Sequence, residues 1–387
     1  MLAINHQPHF LQTNDWAQFW LEANPTNHNF HTHTTTNEEF ELTSLIYEFP
    51  WHFNQKFWYI PKTGTLSYSN DYSDEPNNIN CWDKIPTHEL NSLVIRHFNE
   101  ILLRAKQSSM AFVKFDLNDG LTNRLGLHTT TELLEFSQAN IDNKARLSTK
   151  KIQYLKTFVA DIRSIPNQNF GDILNLQNAD QLLETKNNLF NAPFAVANLK
   201  DFWNDSKDYW ATTNTNIRRY TKKVLDKDWT VSMCKSEANF EAFWQVYNST
   251  KDRQNFVIHS REYVHQLFQK PQSHLIILSD IDGVPQSAWL GYSWGNSLIY
   301  LYGGNEQFSF DNYGQYLMHL CAIYLAKCLG LSFYDLGGYG TGTGYGRFKE
   351  QYKAEFREFL GSIDIPVKNL RFTVINNFVN LAKKVKK

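Results

Sequence analysis

The sequence predicts an α+β protein of two domains, in which mixed β-sheets are flanked by helices. Its length, 387 residues, exceeds what a single hydrophobic core usually organises. Strand-like and helix-like segments alternate in both halves of the chain, as they do in layered folds that pack helices on sheets. In the second half, three strand-like segments lead into a long apolar helix and a further strand. This order indicates an antiparallel meander followed by a helix that covers it.

The composition is that of a folded protein without a strong electrostatic bias. Hydrophobic residues make up 42% of the chain, and the net formal charge is −1. This balance argues against a protein that binds nucleic acid over its whole surface. No window reaches the ~18 apolar residues of a membrane span, and the amino terminus lacks an export pattern. Four cysteines without metal-site spacing are predicted to be reduced thiols of a cytoplasmic protein: Cys81, Cys234, Cys321 and Cys328.

Two charged residues of the first half follow predicted strands. The strand-like run LIYEFPWHFNQKFWYIP ends at Pro61, and Lys62 comes directly after it. Residues 88–108 repeat apolar side chains at helical spacing, and the next strand, AFVKFDL, reaches Asp116. Ligands collect at the carboxyl ends of strands in such α/β units. Lys62 and Asp116 are therefore predicted to be neighbours at a binding crevice.

Two polar segments lack a pattern that defines a site. His28, His31 and His33 alternate with other residues, but a metal centre would need a further ligand and a closed geometry. No metal site is predicted. Residues 163–198 form an irregular insertion rich in Asn and Gln, which a lid, a partner contact or a structureless excursion would explain equally well.

A helix predicted over residues 216–225 carries a basic band. Arg218, Arg219 and Lys222 fall on neighbouring turns of this helix. Such a band can attract RNA phosphates in a salt-sensitive manner that is independent of sequence. A solvated helix face would produce the same pattern, so both interpretations stay open.

His259 and Tyr263 lie four residues apart at the start of another predicted helix. If Ser260 caps this helix, His259 lies just outside its N-terminus. The positive end of the helix would then favour an anionic partner there. The alternatives are an ordinary loop histidine and a packed helical tyrosine.

The segment LSFYDLGGYGTGTGYGRFK, residues 331–349, passes from a strand through six glycines into a helix. It lacks the Gly-Lys-Ser/Thr ending of a phosphate loop and the spacing of a dinucleotide fingerprint. Glycine permits close backbone approach, so the segment is predicted to form a floor for substrates that ends at Lys349. The helix is predicted to continue to residue 356 with Lys349 in solvent. Its predicted buried stripe is Tyr345, Phe348, Tyr352 and Phe356.

Four segments resemble the Fem family of peptidoglycan bridge-forming aminoacyltransferases, which take an amino acid from aminoacyl-tRNA. They are NIRRYTKK (216–223), YLYGGNEQ (300–307), NYGQYLMHLCAIYLAKCLGLSFYDLGG (312–338) and GRFKEQY (346–352). The order of meander, long helix and strand is also that of the GNAT-type acyltransferase fold. The resemblance implies two GNAT-like domains without the coiled-coil arm of larger family members. Their predicted extents are residues 1–150 plus 361–387 for the first and 151–360 for the second.

The resemblance implies a catalytic pair in the second domain. Phe348 and Lys349 match the family's pair at the cleft where the terminal adenosine of the tRNA enters. Lys349 would stabilise the oxyanion or the tRNA phosphates, and Phe348 would shape the pocket. Arg218, Arg219 and Lys222 would contact the tRNA backbone.

The resemblance also implies residues that hold the acceptor. Lys62 and Asp116 match family residues that hold the muramyl nucleotide, and Asp116 would also orient the acceptor amine. Tyr263 matches a further contact, whereas His259 stands where arginine is expected. Because histidine lacks the charged fork of arginine, a nucleotide diphosphate would be held less tightly, or the acceptor would be lipid-linked.

The implied activity is transfer of an amino acid from aminoacyl-tRNA to the side-chain amine of a UDP-linked or lipid-linked muramyl pentapeptide. No cofactor is expected beyond this co-substrate. The protein is expected to be a cytoplasmic monomer, with a peripheral contact at the inner face of the membrane.

Two alternatives accompany this hypothesis. An acyl-coenzyme A-dependent N-acyltransferase is disfavoured because residues 331–349 lack the Arg/Gln-x-x-Gly-x-Gly/Ala sequence that binds pyrophosphate. A non-catalytic Fem-like scaffold would use the lysine-rich end, residues 383–387, to contact a membrane or a partner protein.

Overall fold

The structure is a computed structural model that describes residues 9–52, 54–68, 85–148, 152–153, 156–165, 196–233, 235–254, 256–368 and 372–373. Its contacts divide the chain into two compact units. Unit 1 comprises residues 1–155 and 359–387, and unit 2 comprises residues 156–358. Each unit contains a seven-stranded mixed sheet with helices.

Unit 1 begins with a short 3₁₀ helix and contains four α-helices and eight strands in its described part. The helices are α1 (Asn14–Ala23), α2 (Thr87–Gln107), α3 (Asp119–Arg124) and α4 (Thr130–Asn140). The strands are β1 (Asn29–Thr36), β2 (Phe40–Trp51), β3 (Gln55–Ile60), β4 (Thr65–Tyr68), β5 (Phe112–Asp116), β6 (Arg146–Leu147), β7 (Lys156–Asp161, in unit 2) and β14 (Ser362–Pro366). The sheet order is β1-β2-β3-β5-β14-β6, with β4 paired to β2.

The centre of the unit 1 sheet is apolar because helices and loops cover it. Every residue of β5 is buried, and β5 runs parallel to β3 and antiparallel to β14. The amphipathic helix α2 packs its apolar face on this core, which confirms the helix predicted from its periodicity. Because β3 and β5 are parallel, both end at the edge where residues 61–63 and 117–118 follow.

The strand-like run that ends at Pro61 is not continuous. It divides into β2 and β3, which pair in antiparallel fashion with Tyr47 opposite Tyr59. Asn54 turns the chain between them with a φ of 54°. Asparagine tolerates this left-handed conformation, so a hairpin fits where alternation alone suggested one run.

Polar side chains join β1 to α2. The two ring nitrogens of His97 lie 3.0 Å from Thr35 Oγ1 and 2.9 Å from Ser44 Oγ. His33 Nε2 lies 3.0 Å from Glu100 Oε2. Burial lowers the pKa of His97 to about 3, so its ring is neutral at physiological pH.

Unit 2 contains eight helices and seven strands in its described part. The helices are α5 (Val196–Asp205), α6 (Lys207–Thr212), α7 (Thr215–Leu225), α8 (Glu237–Gln254), α9 (Arg261–Gln269), α10 (Gln307–Asp311), α11 (Gly314–Cys328) and α12 (Gly344–Glu350). Besides β7, the strands are β8 (Thr230–Ser232), β9 (Ser273–Ser279), β10 (Pro285–Trp294), β11 (Ser297–Asn305), β12 (Phe333–Gly338) and β13 (Glu355–Glu358). The sheet order is β13-β7-β12-β11-β10-β9-β8.

The helix α11 organises the core of unit 2. Every residue from 316 to 327 is buried, and the helix packs against β9, β10, β11 and α7. Gly330 follows its end with a φ of 69°, which confirms the predicted glycine at the C′ position. The predicted meander β9-β10-β11 is confirmed, and β12 joins β11 in parallel.

The described helices between residues 196 and 225 are 10, 6 and 11 residues long, and none forms a coiled-coil arm. Cys321 and Cys328 are free thiols, buried and half-buried respectively. Cys81 and Cys234, most of the 163–198 insertion and the lysine-rich end lie outside the described residues. Within the described part, no helix is long and apolar enough to cross a membrane.

A buried ion pair in unit 1 provides a stability test. Lys114 Nζ lies 2.6 Å from Asp364 Oδ1, and both side chains are less than a tenth exposed. Replacing Asp364 by Asn leaves a buried ammonium without its counter-charge, so we expect a loss of about 3 kcal/mol in the free energy of unfolding. Urea denaturation followed by tryptophan fluorescence measures this loss.

The control is Glu39→Gln at an exposed position of the same unit. This substitution is expected to leave the denaturation midpoint unchanged. Equal midpoints for Asp364→Asn and the unmodified protein would contradict the importance of the ion pair.

Candidate functional site

The glycine-rich segment contains two positions where a side chain would not fit. Gly337 has a φ of 75°, and a Cβ there would lie 2.4 Å from Tyr300 O. A Cβ on Gly346 would lie 2.1 Å from Gly340 O. Thr343 caps α12 by accepting a hydrogen bond from Gly346 N at 3.0 Å. The glycines therefore let the loop between β12 and α12 fold closely on itself and on β11.

Lys349 is buried at the end of this segment. Its side chain lies in a residue that is 6% exposed, and its Nζ donates a hydrogen bond to Gly338 O at 2.8 Å. The ammonium also lies 5.4 Å from the centre of the Tyr300 ring and 5.6 Å from that of Tyr345. Burial lowers the pKa of Lys349 to about 8, while the Asp335 carboxylate acts in the opposite direction.

Asp335 lies on β12, next to the bulge in this strand. Its carboxylate accepts hydrogen bonds from Thr157 Oγ1 and, at 2.8 Å, from Gly337 N. Burial raises the pKa of Asp335, and these hydrogen bonds oppose the rise. The sequence analysis did not single out this residue.

Phe348 packs between rings of the core and the surface. Its ring centre lies 5.1 Å from those of Tyr316 and His319 and 5.5 Å from that of Tyr352. His319 Nδ1 lies 2.8 Å from Tyr334 OH. Burial and the nearby Lys349 ammonium lower the pKa of His319 to about 3, so this histidine is neutral at physiological pH. It was also missed, because a histidine within an apolar helix has the pattern of a core residue.

The predicted continuation of α12 to residue 356 is wrong. The helix ends at Glu350, and Lys353 turns the chain with a φ of 49° into β13, which pairs with β7. Tyr345 and Phe356 are 55% and 44% exposed, so they do not belong to a buried stripe. The expectation that places Lys349 in solvent is wrong as well, because the short helix turns this side chain toward β12.

The basic band on α7 is only partly available to a ligand. Arg218 donates hydrogen bonds to the carbonyls of Ala211 and Thr213, so it holds the C-terminal end of α6. Arg219, Lys222 and Lys223 are exposed.

Two stacked tyrosines adjoin these cations. The rings of Tyr220 and Tyr313 stack with their centres 4.4 Å apart, and the Lys223 ammonium lies 4.7 Å from the Tyr313 ring centre. Arg219 lies over Tyr220 at 4.4 Å. We call Arg219, Tyr220, Lys223 and Tyr313 the aromatic-basic face. Tyr316 lies 5.2 Å from Tyr220 and 5.1 Å from Phe348, so rings connect this face to Phe348.

His259 and Tyr263 lie together at the start of α9, and the predicted Ser260 cap is confirmed. Ser260 Oγ accepts a hydrogen bond from Tyr263 N at 3.2 Å. The rings of His259 and Tyr263 stack with centres 4.2 Å apart, and His259 also contacts Tyr302 edge-on at 5.6 Å. Desolvation lowers the pKa of His259, which keeps the ring neutral at pH 7. Tyr263 is buried, whereas His259 is exposed.

Lys62 and Asp116 line one pocket of unit 1, where the parallel strands β3 and β5 end. The other lining residues are Leu117, Gln153, Phe359, Gly361 and Ser362. Lys62 has a φ of 51°, and its buried ammonium lies 3.3 Å from the centre of the Phe359 ring. This short distance indicates a cation–π contact.

Asp116 has one bonded and one unbonded carboxylate oxygen. Tyr59 OH donates to Oδ2 at 2.5 Å, and Thr63 N donates to the main-chain oxygen at 2.7 Å. Asp116 is 5% exposed, yet none of the described residues donates a hydrogen bond to Oδ1. A buried acceptor in this state favours a ligand with an N–H or O–H donor.

Comparisons with known proteins agree with this fold. Residues 211–354 match the family described as acetyltransferase (GNAT) domain. No curated protein sequence matches the chain. A crystal structure of FemX superposes with a TM-score of 0.61 at 13% identity, covering 95% of this chain and 94% of that one. The chain therefore has a GNAT-type fold and carries an acyltransferase domain in its second half.

Two further structures are similar over most of their length. The tandem GNAT protein from the clavulanic acid biosynthesis pathway has a TM-score of 0.47 at 7% identity, covering 95% of this chain and 92% of that one. The C-terminal domain of a putative lysylphosphatidylglycerol synthetase from Agrobacterium fabrum has a TM-score of 0.45 at 9% identity, covering 90% of this chain and 88% of that one.

The close approach of β12 to β11 can be tested by adding one methyl group. Gly337→Ala places a Cβ against Tyr300 O and forces a left-handed alanine, so we expect a loss of at least about 2 kcal/mol in stability. Denaturant unfolding measures the change.

Gly344→Ala is the matched control in the same loop, since no atom lies within 4 Å of its added Cβ. This variant is expected to be as stable as the unmodified protein or slightly more so. Similar stability of both variants would contradict the described packing of Gly337.

Proposed function

We propose that this chain is an aminoacyltransferase that moves an amino acid from aminoacyl-tRNA to the side-chain amine of a muramyl pentapeptide. The observation that carries the proposal is the buried Lys349 ammonium, held by Gly338 O beside Phe348. The resemblance of this pair to the catalytic pair of the Fem family supports it. The acyltransferase domain in residues 211–354 supports the coarser chemistry.

The chemistry requires charge stabilisation more than proton transfer. The ester of an aminoacyl-tRNA is already activated, and attack by an amine places negative charge on the tetrahedral oxygen. With a pKa of about 8, Lys349 is about 90% protonated at pH 7, so it can donate to this oxygen. A cation in a site shielded from water stabilises the oxyanion more strongly than a surface lysine does. Phe348 bounds the same pocket and excludes water from it.

The aromatic-basic face is the proposed contact for the tRNA end. Arg219, Lys222 and Lys223 attract phosphates, and the Tyr220 ring offers a surface on which a base can stack. In this proposal Arg218 supports the face by holding α6.

The Lys62–Asp116 pocket is the proposed contact for the acceptor. The Lys62 ammonium suits a phosphate or carboxylate oxygen, and the unbonded Asp116 Oδ1 suits a donor of the sugar, base or peptide. His259 and Tyr263 offer a neutral ring surface where a charged arginine fork would grip a diphosphate. The acceptor is therefore UDP-linked with a weak diphosphate contact in unit 2, or lipid-linked at the inner face of the membrane.

A second candidate is N-acyl transfer from coenzyme A, since the matched family is described as an acetyltransferase. The missing pyrophosphate-binding sequence in residues 331–349 counts against it. Calorimetry with acetyl-coenzyme A tests it, because a saturable binding isotherm would favour this candidate over aminoacyl-tRNA.

The role of Lys349 predicts a large loss of rate. Lys349→Ala is expected to reduce kcat for transfer from charged tRNA by about 10²–10³-fold, because it removes the oxyanion donor. The control is Lys207→Ala, at an exposed position on α6, which should retain full activity. The measurement is transfer of a radiolabelled amino acid to the precursor, with circular dichroism to establish folding. A folded Lys349→Ala variant with unchanged kcat would contradict the role.

The role of the unit 1 pocket predicts an effect on the acceptor alone. Lys62→Ala and Asp116→Asn are each expected to raise KM for the muramyl acceptor about tenfold or more, since a charged hydrogen bond is lost. KM for aminoacyl-tRNA should stay within about twofold, because these residues have no proposed contact with it. Lys56→Ala on the neighbouring strand β3 is the control for the loss of a lysine.

Steady-state kinetics with each substrate varied in turn separates the two effects. An equal rise of KM for both substrates would contradict the assignment. The assay is run with the UDP-linked and with the lipid-linked acceptor, and the acceptor with the larger rise in KM is the one that the pocket recognises.

A further inference from the structure

Asp335 lies between the catalytic lysine and a neighbouring strand, and no known role accounts for it. We infer that Asp335 is a positioning residue: with Thr157 it holds the β12 bulge that aims Gly338 O at Lys349, and its charge keeps Lys349 cationic. The kinetic consequences of this inference rest on the proposed function. Its structural and electrostatic consequences can be measured without any substrate.

The bulge is visible in the pairing of β12 with β7. Asp335 lies opposite Val159, and Gly338 lies opposite Thr157, so β12 has one extra residue between the two pairs. Regular contact resumes when Tyr339 N donates to Lys156 O at 2.8 Å. The extra residue turns the chain where the Lys349 acceptor is located.

The Asp335 and Thr157 side chains close this bulge. Asp335 accepts a hydrogen bond from the N–H of Gly337, the residue with a left-handed φ. Thr157 Oγ1 lies within hydrogen-bond distance of the Asp335 carboxylate and 3.0 Å from Gly337 O. Both polar groups of the Gly337 peptide region are thus tied to one side chain pair, and the next carbonyl, Gly338 O, meets Lys349 Nζ at 2.8 Å. Removing the Asp335 charge would leave Gly337 N bonded more weakly.

The same carboxylate opposes the desolvation of the lysine. The titratable groups that face Lys349 are Tyr300 from β11, Tyr345 from α12, His319 from α11 and Asp335 from β12. Arg357 from β13 acts on Asp335. Within this described set, His319 is neutral and the Tyr300 pKa is raised to about 12, so Asp335 supplies the negative charge at physiological pH.

The first experiment measures the protonation of Lys349 in the free protein. Competitive labelling with acetic anhydride across a pH series, read by mass spectrometry of the Lys349 peptide, gives its apparent pKa. Asp335→Asn keeps the shape and removes the charge, so the apparent pKa should fall. A fall of one unit from about 8 would reduce the protonated fraction at pH 8 about fivefold. An unchanged labelling curve in a folded Asp335→Asn protein would overturn the inference.

A matched pair at Thr157 keeps the inference testable if Asp335→Asn does not fold. Thr157→Val removes the hydroxyl from a fully buried residue at nearly constant volume, and Thr157→Ser retains it. The apparent pKa of Lys349 should change in Thr157→Val and return to the unmodified value in Thr157→Ser. Equal values in both variants would overturn the inference.

Transfer kinetics form the second arm. For Asp335→Asn, the alkaline limb of the kcat profile should move to lower pH by the same interval as the labelling curve, with KM for aminoacyl-tRNA within about twofold of normal. A shifted labelling curve in a protein that transfers no amino acid would support the positioning role while refuting the proposed function. Normal transfer with an unshifted labelling curve would do the reverse.

Discussion

The hydrogen bond from Lys349 Nζ to Gly338 O sets the central constraint on unit 2. An ammonium that is removed from water loses hydration, and a single neutral carbonyl does not replace it. Two aromatic rings and the Asp335 carboxylate provide further stabilisation. These groups come from β11, β12 and α12, so the lysine can be charged and buried only when all three elements are in place. The glycines allow this convergence, because a Cβ at Gly337 would collide with β11.

Unit 1 follows the same physical logic with a different outcome. Lys62 and Asp116 are both buried at the ends of parallel strands, and Lys62 adopts a left-handed backbone conformation that is unfavourable for lysine. Asp116 retains an unbonded carboxylate oxygen. Strain and an unsatisfied acceptor both lower stability, and they persist where the surrounding structure enforces them. A ligand that bonds to both groups would offset this cost, which is why the pocket suits an acceptor substrate.

Much of the fold could be predicted from the sequence, because apolar periodicity defines α2, α8 and the meander directly. The errors lie where one residue reverses the chain: Asn54 splits a strand run, and Lys353 ends the turn after α12. Apolar alternation contains no information about such left-handed residues. Lys349, Phe348, Lys62 and Asp116 were identified through the family resemblance. Asp335 and His319 were missed because their contacts join distant segments, as with the 178 residues between Asp335 and Thr157.

The central claim is that a tRNA ester supplies the acyl group. The most direct measurement incubates the protein with a pool of charged tRNAs and either the UDP-linked or the lipid-linked muramyl pentapeptide, followed by mass spectrometry of the acceptor. The account predicts that one acceptor gains the mass of an aminoacyl residue in a base-stable amide, and that prior deacylation of the tRNA abolishes the gain. An unmodified acceptor in the presence of intact charged tRNA, together with acylation of an amine by acetyl-coenzyme A, would contradict it.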